Sequence, residues 1–276
     1  MADPGRCGNL RSMTAVSLSV LVILFGSALH VLAQASDAEP QQAAGIQDNS
    51  FLIEEAYNQE EGVVQHISNF LYAESPERSL TYVFTQEWPA GGQLHQISYT
   101  VPYGSQGGNH GLGDVLVNYR YQLFANGDRA YVSPRLSVIL PTGSESEGLG
   151  EGVVGVQFNV PASKELSRAF VVHANAGGTI IPKTKLLVSY YAGVSLIWRA
   201  MEDFHLLFEN LVSSHAGIDD GGDVVREATA VINPGVRCAL NFQDLQVVPG
   251  LGFPVSIHEG ETTISLFFYL SFEHPL

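Results

Sequence analysis

The chain has 276 residues, of which 45% are hydrophobic and only 15% are charged, and its formal net charge is −15. The excess of 28 Asp and Glu over 13 Lys and Arg argues against a nucleic-acid partner, because binding to phosphates requires cations that displace counterions. Intrinsic disorder is also excluded, since 11 Tyr, 14 Phe and many β-branched residues can bury a core.

The first 35 residues have the three parts of a secretory signal peptide. Arg6 and Arg11 precede an apolar run over residues 13–32, and a small-residue cleavage site (AQA) follows at residues 33–35. A membrane anchor of about 20 residues is the alternative that length alone permits. We predict a signal peptide over residues 1–35. Its removal changes the net charge from −15 to −16, because two arginines and one aspartate are lost.

Residues 36–62 form a polar leader without periodicity, and from Val63 to residue 276 apolar and polar residues alternate in runs of about ten. Alternation of this kind gives a strand one apolar and one polar face. We predict twelve strands, at residues 63–72, 80–88, 94–103, 113–123, 130–141, 152–160, 169–181, 186–199, 204–213, 227–239, 245–257 and 262–273.

The composition of the polar face separates two all-β architectures. A soluble sandwich turns its polar face to water and would carry many Lys and Glu there. Here that face is mostly Ser, Thr, Asn, Gln and Gly, and the chain has only three lysines, Lys164, Lys183 and Lys185. We therefore predict an antiparallel transmembrane β-barrel over residues 63–276, with the sandwich as the alternative.

The connections between the predicted strands differ in length. Short ones follow the second, fourth, eighth and tenth strands, and long, glycine-rich ones are expected at residues 104–112, 143–151 and 216–224. Outer-membrane barrels alternate short periplasmic turns with longer extracellular loops. Residues 182–185 and 161–168 depart from this alternation, the first being short and the second longer than a tight turn.

Four short motifs occur in order along the predicted strands: Gly111-Leu112-Gly113-Asp114, Pro141-Thr142-Gly143, Gly148-Leu149-Gly150 and His173-Ala174-Asn175-Ala176-Gly177. In this order they resemble the phenol meta-pathway degradation family of outer-membrane β-barrels, over about residues 51–273. The resemblance implies an outer-membrane channel or transporter. The family name describes gene context, so the resemblance implies no enzyme of phenol breakdown.

Four arginines lie on polar strand faces near short connections, and in a barrel they would line the lumen: Arg120, Arg135, Arg199 and Arg237. Arg120 and Arg135 flank the predicted turn at residues 126–127 almost symmetrically, so we expect them to be cross-strand neighbours. Adjacent cations in a lumen need a counter-charge, from the protein or from a passing anion. Glu87 and Glu209, also on polar faces, are candidates for selectivity alongside the arginines.

A second source of negative charge is the segment at residues 51–61, directly before the first strand. It is apolar at one end and carries four carboxylates, Glu54, Glu55, Glu60 and Glu61. We hypothesise that it folds into the periplasmic mouth as a partial plug and pairs with the lumen arginines. The alternative is a periplasmic linker.

Two kinds of chemistry have little support. The nine histidines show no metal-ligand spacing, so neither a metal site nor a cofactor is expected. His66 and Ser68 share one strand face, as in a barrel-embedded lipid hydrolase. The Gly-Arg continuation of such enzymes is replaced by Phe70-Leu71, and we therefore expect no enzyme.

These features together predict a bacterial outer-membrane channel or transporter that passes small solutes, among them hydrophobic or aromatic molecules, by passive diffusion. Its partners would be the solute, outer-membrane lipid and lipopolysaccharide, and the barrel-assembly machinery that inserts it. The first alternative is a closed structural or interaction barrel that presents acidic extracellular loops. A barrel-embedded lipid hydrolase and a secreted soluble β-protein are further alternatives.

Overall fold

The computed structural model describes residues 49–124, 130–242 and 245–276. The predicted signal peptide and most of the polar leader lie outside these residues, as do the predicted turn at residues 126–128 and residues 243–244. No helix among the described residues is long and apolar enough to cross a membrane.

Within the described residues, twelve antiparallel strands form one sheet, and each pairs with its neighbours along the chain. A short 3-10 helix, Glu145–Glu147, lies in the connection between β5 and β6. The strands are β1 (Val63–Ala73), β2 (Ser79–Pro89), β3 (His95–Gln106), β4 (Asn109–Leu112, Val115–Tyr121 and Leu123–Phe124), β5 (Ala130–Val132 and Arg135–Leu140), β6 (Gly155–Glu165), β7 (Phe170–Pro182), β8 (Leu186–Arg199), β9 (Phe204–Ile218), β10 (Val224–Cys238 and Leu240–Asn241), β11 (Gln246–Gly252 and Val255–His258) and β12 (Glu261–Pro275).

The sheet closes on itself because β12 returns to β1. The register runs from Val63 opposite Pro275 to Ala73 opposite Ser265, without interruption. Closure gives every strand two neighbours, which is the condition under which strands can cross a membrane. The predicted barrel of about twelve strands is therefore confirmed.

In a soluble protein the apolar face of a sheet points inward, whereas in this sheet the apolar face points outward. Apolar side chains such as Leu136 and Ile264 point outward and are 55% and 68% exposed. Polar side chains such as Asn118, Ser163 and Ser195 point inward and are 3% exposed or less. A soluble sandwich buries its apolar face, so this arrangement excludes that alternative.

Strands extend into three of the predicted connections. In residues 104–112, only Gly107 and Gly108 form the turn, and both have positive φ, which glycine adopts without steric cost. Strands also take up four of the nine residues 216–224 and five of the eight residues 161–168. The prediction of a long loop at 104–112 was therefore wrong, and the loop at 219–223 is shorter than predicted, because polar, glycine-rich hairpin ends continue the pairing of the strands without apolar alternation. The connection between β5 and β6 is long, as predicted.

The outward face yields a test of its contact with lipid. Phe268 lies in the middle of β12 and points outward, 40% exposed. We expect Phe268→Arg to lower the free energy of unfolding in lipid vesicles by about 2–4 kcal/mol, since a charge near the membrane midplane loses its hydration. Leu276→Arg, after the last strand, is the matched control, with an expected effect of about 0–1 kcal/mol. Urea titration measures both, and equal small effects would contradict a lipid-facing belt.

Candidate functional site

The interior of the barrel is occupied by residues 49–59, which we call the lumen segment. Five of its side chains are almost fully buried, with exposures between 0% and 5%: Ser50, Phe51, Ile53, Ala56 and Asn58. The segment crosses the lumen without forming a strand and joins β1 through the turn at residues 60–62. The Leu276 N–H donates to the Gly62 carbonyl over 2.8 Å, so this turn is fixed to the end of the last strand.

Wall side chains satisfy the backbone of the lumen segment. Glu209 Oε1 accepts hydrogen bonds from the N–H groups of Leu52 and Ile53, at 2.9 and 3.3 Å. Ser163 Oγ accepts one from Ala56 N–H at 2.7 Å, and Ser133 Oγ donates to the Ala56 carbonyl at 2.6 Å. Buried backbone outside a helix or sheet requires such partners.

An asparagine of the wall binds the backbone of Glu54 on both sides. The Glu54 N–H donates to Asn175 Oδ1 over 2.8 Å, and Asn175 Nδ2 donates to the Glu54 carbonyl over 2.8 Å. The side-chain amide therefore pairs with the peptide group as a neighbouring strand would. Asn175 is 2% exposed and lies on the inward face of β7.

The far end of the segment is held by glutamines. Gln122 Oε1 accepts a hydrogen bond from Asn58 N–H at 2.6 Å, and Gln96 Oε1 accepts one from Gln59 N–H at 2.7 Å. These contacts lie close to the short connection between β2 and β3, and Asn58 Nδ2 donates to the Leu94 carbonyl there at 3.0 Å. Uncharged side chains thus supply most of the wall's contacts with this part of the segment.

Arg120 and Arg135 are direct cross-strand partners on β4 and β5, as predicted. The Arg120 guanidinium donates to the Asn58 side chain at 2.8 Å and to the carbonyls of Glu55 and Tyr57. Its role in the structure is to bind backbone oxygens of the lumen segment. Among the described residues, none of its hydrogen bonds goes to a carboxylate, so the predicted pairing of this arginine with a segment carboxylate was wrong.

Arg135 makes an ion pair between the wall and the lumen segment. Its Nη2 and Nε atoms bind the two oxygens of Glu54, at 2.6 and 3.1 Å. The arginine side chain is 11% exposed and that of Glu54 is 30% exposed. Burial opposes ionisation of Glu54, but the guanidinium groups of Arg135 and Arg120 outweigh it and lower the pKa of this carboxyl below its ordinary value of 4.5.

The other two arginines occupy the same half of the barrel. Arg237 Nη1 donates to the Asn49 carbonyl over 2.6 Å, at the start of the lumen segment. Arg199 Nη1 pairs with Glu165 of β6 over 2.7 Å, so its counter-charge comes from the wall rather than from the segment. The positions of the two arginines in the sequence, near strand ends, did not predict these partners.

The predicted carboxylates have different environments. Glu209 is fully buried and, besides the segment backbone, accepts a hydrogen bond from Asn233 Nδ2 at 2.6 Å. Glu87 is 8% exposed and accepts a hydrogen bond from Gln96 at 2.7 Å. Glu55 is also buried, with 7% exposure.

Glu60 and Glu61 are exposed in the turn before β1. The prediction that they pair with lumen arginines was therefore wrong. The physical reason is position along the chain: residues 60–62 must turn at the mouth of the barrel so that β1 can begin at Val63. A carboxylate in that turn remains in contact with solvent.

A folded loop narrows the opposite end of the barrel. We call residues 141–154, between β5 and β6, the inner loop. Asp114 binds both of its ends, since its carboxylate accepts hydrogen bonds from Gly143 N–H at 2.9 Å and Glu151 N–H at 2.7 Å. Lys183 pairs with Glu145 at 3.1 Å and Glu151 at 2.9 Å, and these carboxylates raise the pKa of the lysine.

Glycines of the four sequence motifs allow the inner loop to fold closely. A Cβ on Gly143 would collide with the Leu149 carbonyl, and one on Gly150 would collide with the Asp114 carboxylate. Leu149 itself lies above Gly111, where a Cβ would come within 3.0 Å of its Cδ1 atom. The motifs therefore supply the loop and its anchor, while Asn175 of the last motif binds the lumen segment.

Two cavities inside the barrel adjoin these elements. One of about 420 Å³ lies beneath the inner loop and is lined mainly by apolar groups, including Leu116, Ile139, Ile181 and Leu187. The other, of about 240 Å³, lies between the lumen segment and the wall formed by β1 to β5. Both the lumen segment and the inner loop thus border free volume in the lumen.

His66 and Ser68 lie on the outward face of β1 and contact other groups. The Nε2 atoms of His66 and His274 are 3.2 Å apart, and Ser68 Oγ is 3.3 Å from the Tyr82 hydroxyl. These contacts do not assemble a nucleophile and its base. Within the described residues, no group of three or more His, Cys, Asp or Glu is placed to hold a metal ion.

Comparisons with known proteins agree on the fold. No protein-family model matches the chain, and no curated protein matches it either. A solved outer-membrane channel from Pseudomonas putida F1 is similar over 80% of this chain and 98% of its own, with a TM-score of 0.62 and 14% identity. The NanC porin (TM-score 0.47, 8% identity, 77% and 100% covered) and the CymD monoaromatic hydrocarbon channel (0.40, 10%, 79% and 89%) are further matches.

The chain is therefore a closed, twelve-stranded antiparallel barrel of the outer-membrane class. At 14% identity this likeness extends to the fold alone. The resemblance to the phenol meta-pathway degradation family stays a prediction.

The Glu54–Arg135 pair predicts a pH-dependent position of the lumen segment. Because docking lowers the pKa of Glu54, the pair stabilises the docked segment above the ordinary pKa of 4.5, and this stabilisation is lost as the pH falls through the lower, docked value. We expect the single-channel conductance of the wild-type protein in planar bilayers to rise as the pH falls below the ordinary value of 4.5.

Glu54→Gln is the matched control for this pH effect. It keeps the size of the side chain and removes the charge, so it should open the channel about tenfold more often at pH 7, since a hydrogen bond to a charged group contributes about 1.5–3 kcal/mol. Its conductance should also change less on acidification. Identical pH profiles of wild type and Glu54→Gln would contradict the assignment.

The Asp114 contacts predict the stability of the inner loop. Asp114→Ala removes the acceptor of two backbone hydrogen bonds, and we expect a Glu-specific protease to cut at Glu145, Glu147 and Glu151 at least about tenfold faster. Asp219→Ala is the matched control, because Asp219 accepts a similar bond from Asp223 N–H in the β9–β10 turn. Equal cleavage rates in the two variants would show that Asp114 does not hold the loop.

Proposed function

We propose that the protein is an outer-membrane channel that passes small solutes by passive diffusion when the lumen segment leaves its place. The observation that carries the proposal is that the interior is filled by a separate segment rather than by side chains of the wall. Small inward-facing residues such as Ser133, Ser163, Ser195 and Gly193 leave the space that residues 49–59 take up. Without that segment, this space would join the cavity beside the segment and extend toward the cavity beneath the inner loop.

The contacts of the lumen segment suit a part that moves. They are hydrogen bonds, the Arg135–Glu54 ion pair among them, and apolar packing, with no covalent link in the described residues other than the chain itself. Each wall group that binds it, such as Glu209 or Asn175, is a polar side chain that can form hydrogen bonds with water in a hydrated lumen. The segment can therefore exchange its partners for water, which a core of packed apolar side chains cannot do.

The proposal also covers the class of solute and the cellular location of the protein. The cavity beneath the inner loop is mainly apolar, which favours small hydrophobic or aromatic solutes, while Arg135 and Arg120 would discriminate among charged ones once Glu54 has left. We propose export through the signal peptide at residues 1–35, insertion by the barrel-assembly machinery, and lipopolysaccharide and outer-membrane lipid around the outward apolar face.

The closed structural barrel is the second candidate. The observation that favours it is that the lumen segment and the inner loop both occupy the lumen of the described barrel. Acidic side chains at the outer connections, such as Asp219 and Asp223, would then be its contact surface. A lipid hydrolase is not proposed, because His66 and Ser68 each contact other residues.

Removing the lumen segment tests the channel directly. We expect deletion of residues 49–59 to increase single-channel conductance severalfold and to give solute-dependent swelling of liposomes, because the occupied half of the lumen becomes open to water. A matched variant replaces the same residues by a Gly-Ser sequence of equal length and should behave in the same way. Unchanged conductance and no swelling in both variants would leave the closed barrel as the function.

A further inference from the structure

Three glycines on the inner wall form a recess for the aromatic ring of Phe51. A Cβ on Gly250 would stand 2.6 Å from the ring, one on Gly252 would stand 3.0 Å from it, and one on Gly235 would come closer still. Gly235 and Gly252 are direct partners across β10 and β11. Because Cβ atoms do not approach carbons so closely, the ring can lie against the sheet only where glycine replaces larger residues.

Two aromatic side chains of β12 complete the recess. The ring centroid of Phe51 is 5.3 Å from that of Phe267 and 5.4 Å from that of Tyr269, and both pairs are tilted. These distances are within the range of favourable aromatic pairs. We call this set the ring recess: Gly235, Gly250, Gly252, Phe267 and Tyr269. Its shape and lining are those of a site for a flat aromatic ring.

The ring recess lies beside free volume in the lumen. Phe51 also lines the cavity of about 240 Å³ between the lumen segment and the wall. A cavity of about 150 Å³ is enough to hold a benzene molecule in an apolar protein core. The free volume next to Phe51 is therefore comparable to that which a small aromatic molecule occupies.

A buried hydrogen-bond acceptor borders the recess. Asn233 is fully buried, and its Nδ2 atom donates to Glu209 at 2.6 Å. Its Oδ1 atom accepts no hydrogen bond from any residue that the structure describes. A Cβ on Gly252 would lie 2.8 Å from this oxygen and 3.0 Å from the Phe51 ring, so the oxygen and the ring edge flank the same point of the wall. The Phe51 side chain has no hydrogen-bond donor for Asn233 Oδ1.

We propose that the ring recess binds solutes made of an aromatic ring with a hydroxyl group, and that such a solute displaces Phe51. The ring takes the place of the Phe51 side chain, and the hydroxyl donates to Asn233 Oδ1. This inference rests on the proposed function, because the solute must enter the lumen. Binding of the solute and docking of the lumen segment then exclude each other, which couples the presence of solute to release of the segment.

The test uses 4-fluorophenol and fluorobenzene, two probes of nearly equal shape that differ in the hydroxyl. Fluorine NMR titrations in detergent would follow both probes with Phe51→Ala, in which the recess is vacated. The matched control adds Gly235→Ala and Gly250→Ala, which fill the recess. Partition of the probes into micelles is the same for both proteins and cancels in the comparison.

We expect Phe51→Ala to bind 4-fluorophenol at least about tenfold more tightly than the filled control does. It should also bind 4-fluorophenol about fivefold to tenfold more tightly than fluorobenzene, the contribution of one net hydrogen bond. Asn233→Leu in the Phe51→Ala background should abolish this preference. Heat-modifiable gel migration reports folding, and the protein without residues 49–59 replaces Phe51→Ala if the latter does not fold.

Equal binding by the vacated and filled proteins would overturn the ring recess. Equal binding of the two probes by the vacated protein would overturn the role of Asn233 and the hydroxyl preference. Failure of the proposed function has a different signature: the probe binds the vacated recess, but deletion of residues 49–59 gives no conductance. A deletion variant that conducts without binding 4-fluorophenol would leave the channel in place and refute the recess.

Discussion

The lumen segment places irregular backbone inside a membrane barrel, where the peptide groups need hydrogen-bond partners that lipid cannot provide. The inner wall supplies them from single side chains: Glu209, Asn175, Ser163 and Gln122 each bind a backbone N–H of the segment. This requirement explains why so many buried residues of the wall are polar. It also explains why the wall can be built from small residues, since the segment rather than the wall fills the space.

The motifs that are distinctive in the sequence serve the two obstructions of the lumen. Asp114, Gly143 and Gly150 fold and anchor the inner loop, and Asn175 binds the lumen segment. The barrel itself imposes few such demands, because alternation of polarity is sufficient for its strands. The distinctive residues of the sequence are therefore concentrated where the inner loop and the lumen segment, which are not strands, enter the barrel.

The barrel was largely predictable from the sequence, because alternation with a period of two is imposed at every residue by lipid on one side and polar groups on the other. The cross-strand position of Arg120 and Arg135 followed from their symmetry about the turn predicted from the sequence. The partners of the lumen segment were not predictable. Inward-facing Ser, Asn and Gln occur on most strands, and only the path of residues 49–59 through the lumen decides which of them are used. A prediction from charge alone placed Glu60 and Glu61 against the lumen arginines, whereas both are exposed in the turn before β1.

The turn at residues 60–62 joins the lumen segment to β1, which is itself paired on both sides. A detached segment therefore cannot diffuse away, and its effective concentration near the wall stays in the range of about millimolar that short flexible linkers give. Any molecule that occupies the lumen competes with this tethered, intramolecular ligand rather than with water alone. In the proposed channel, the barrel would consequently return to the occupied state by itself once the molecule has passed.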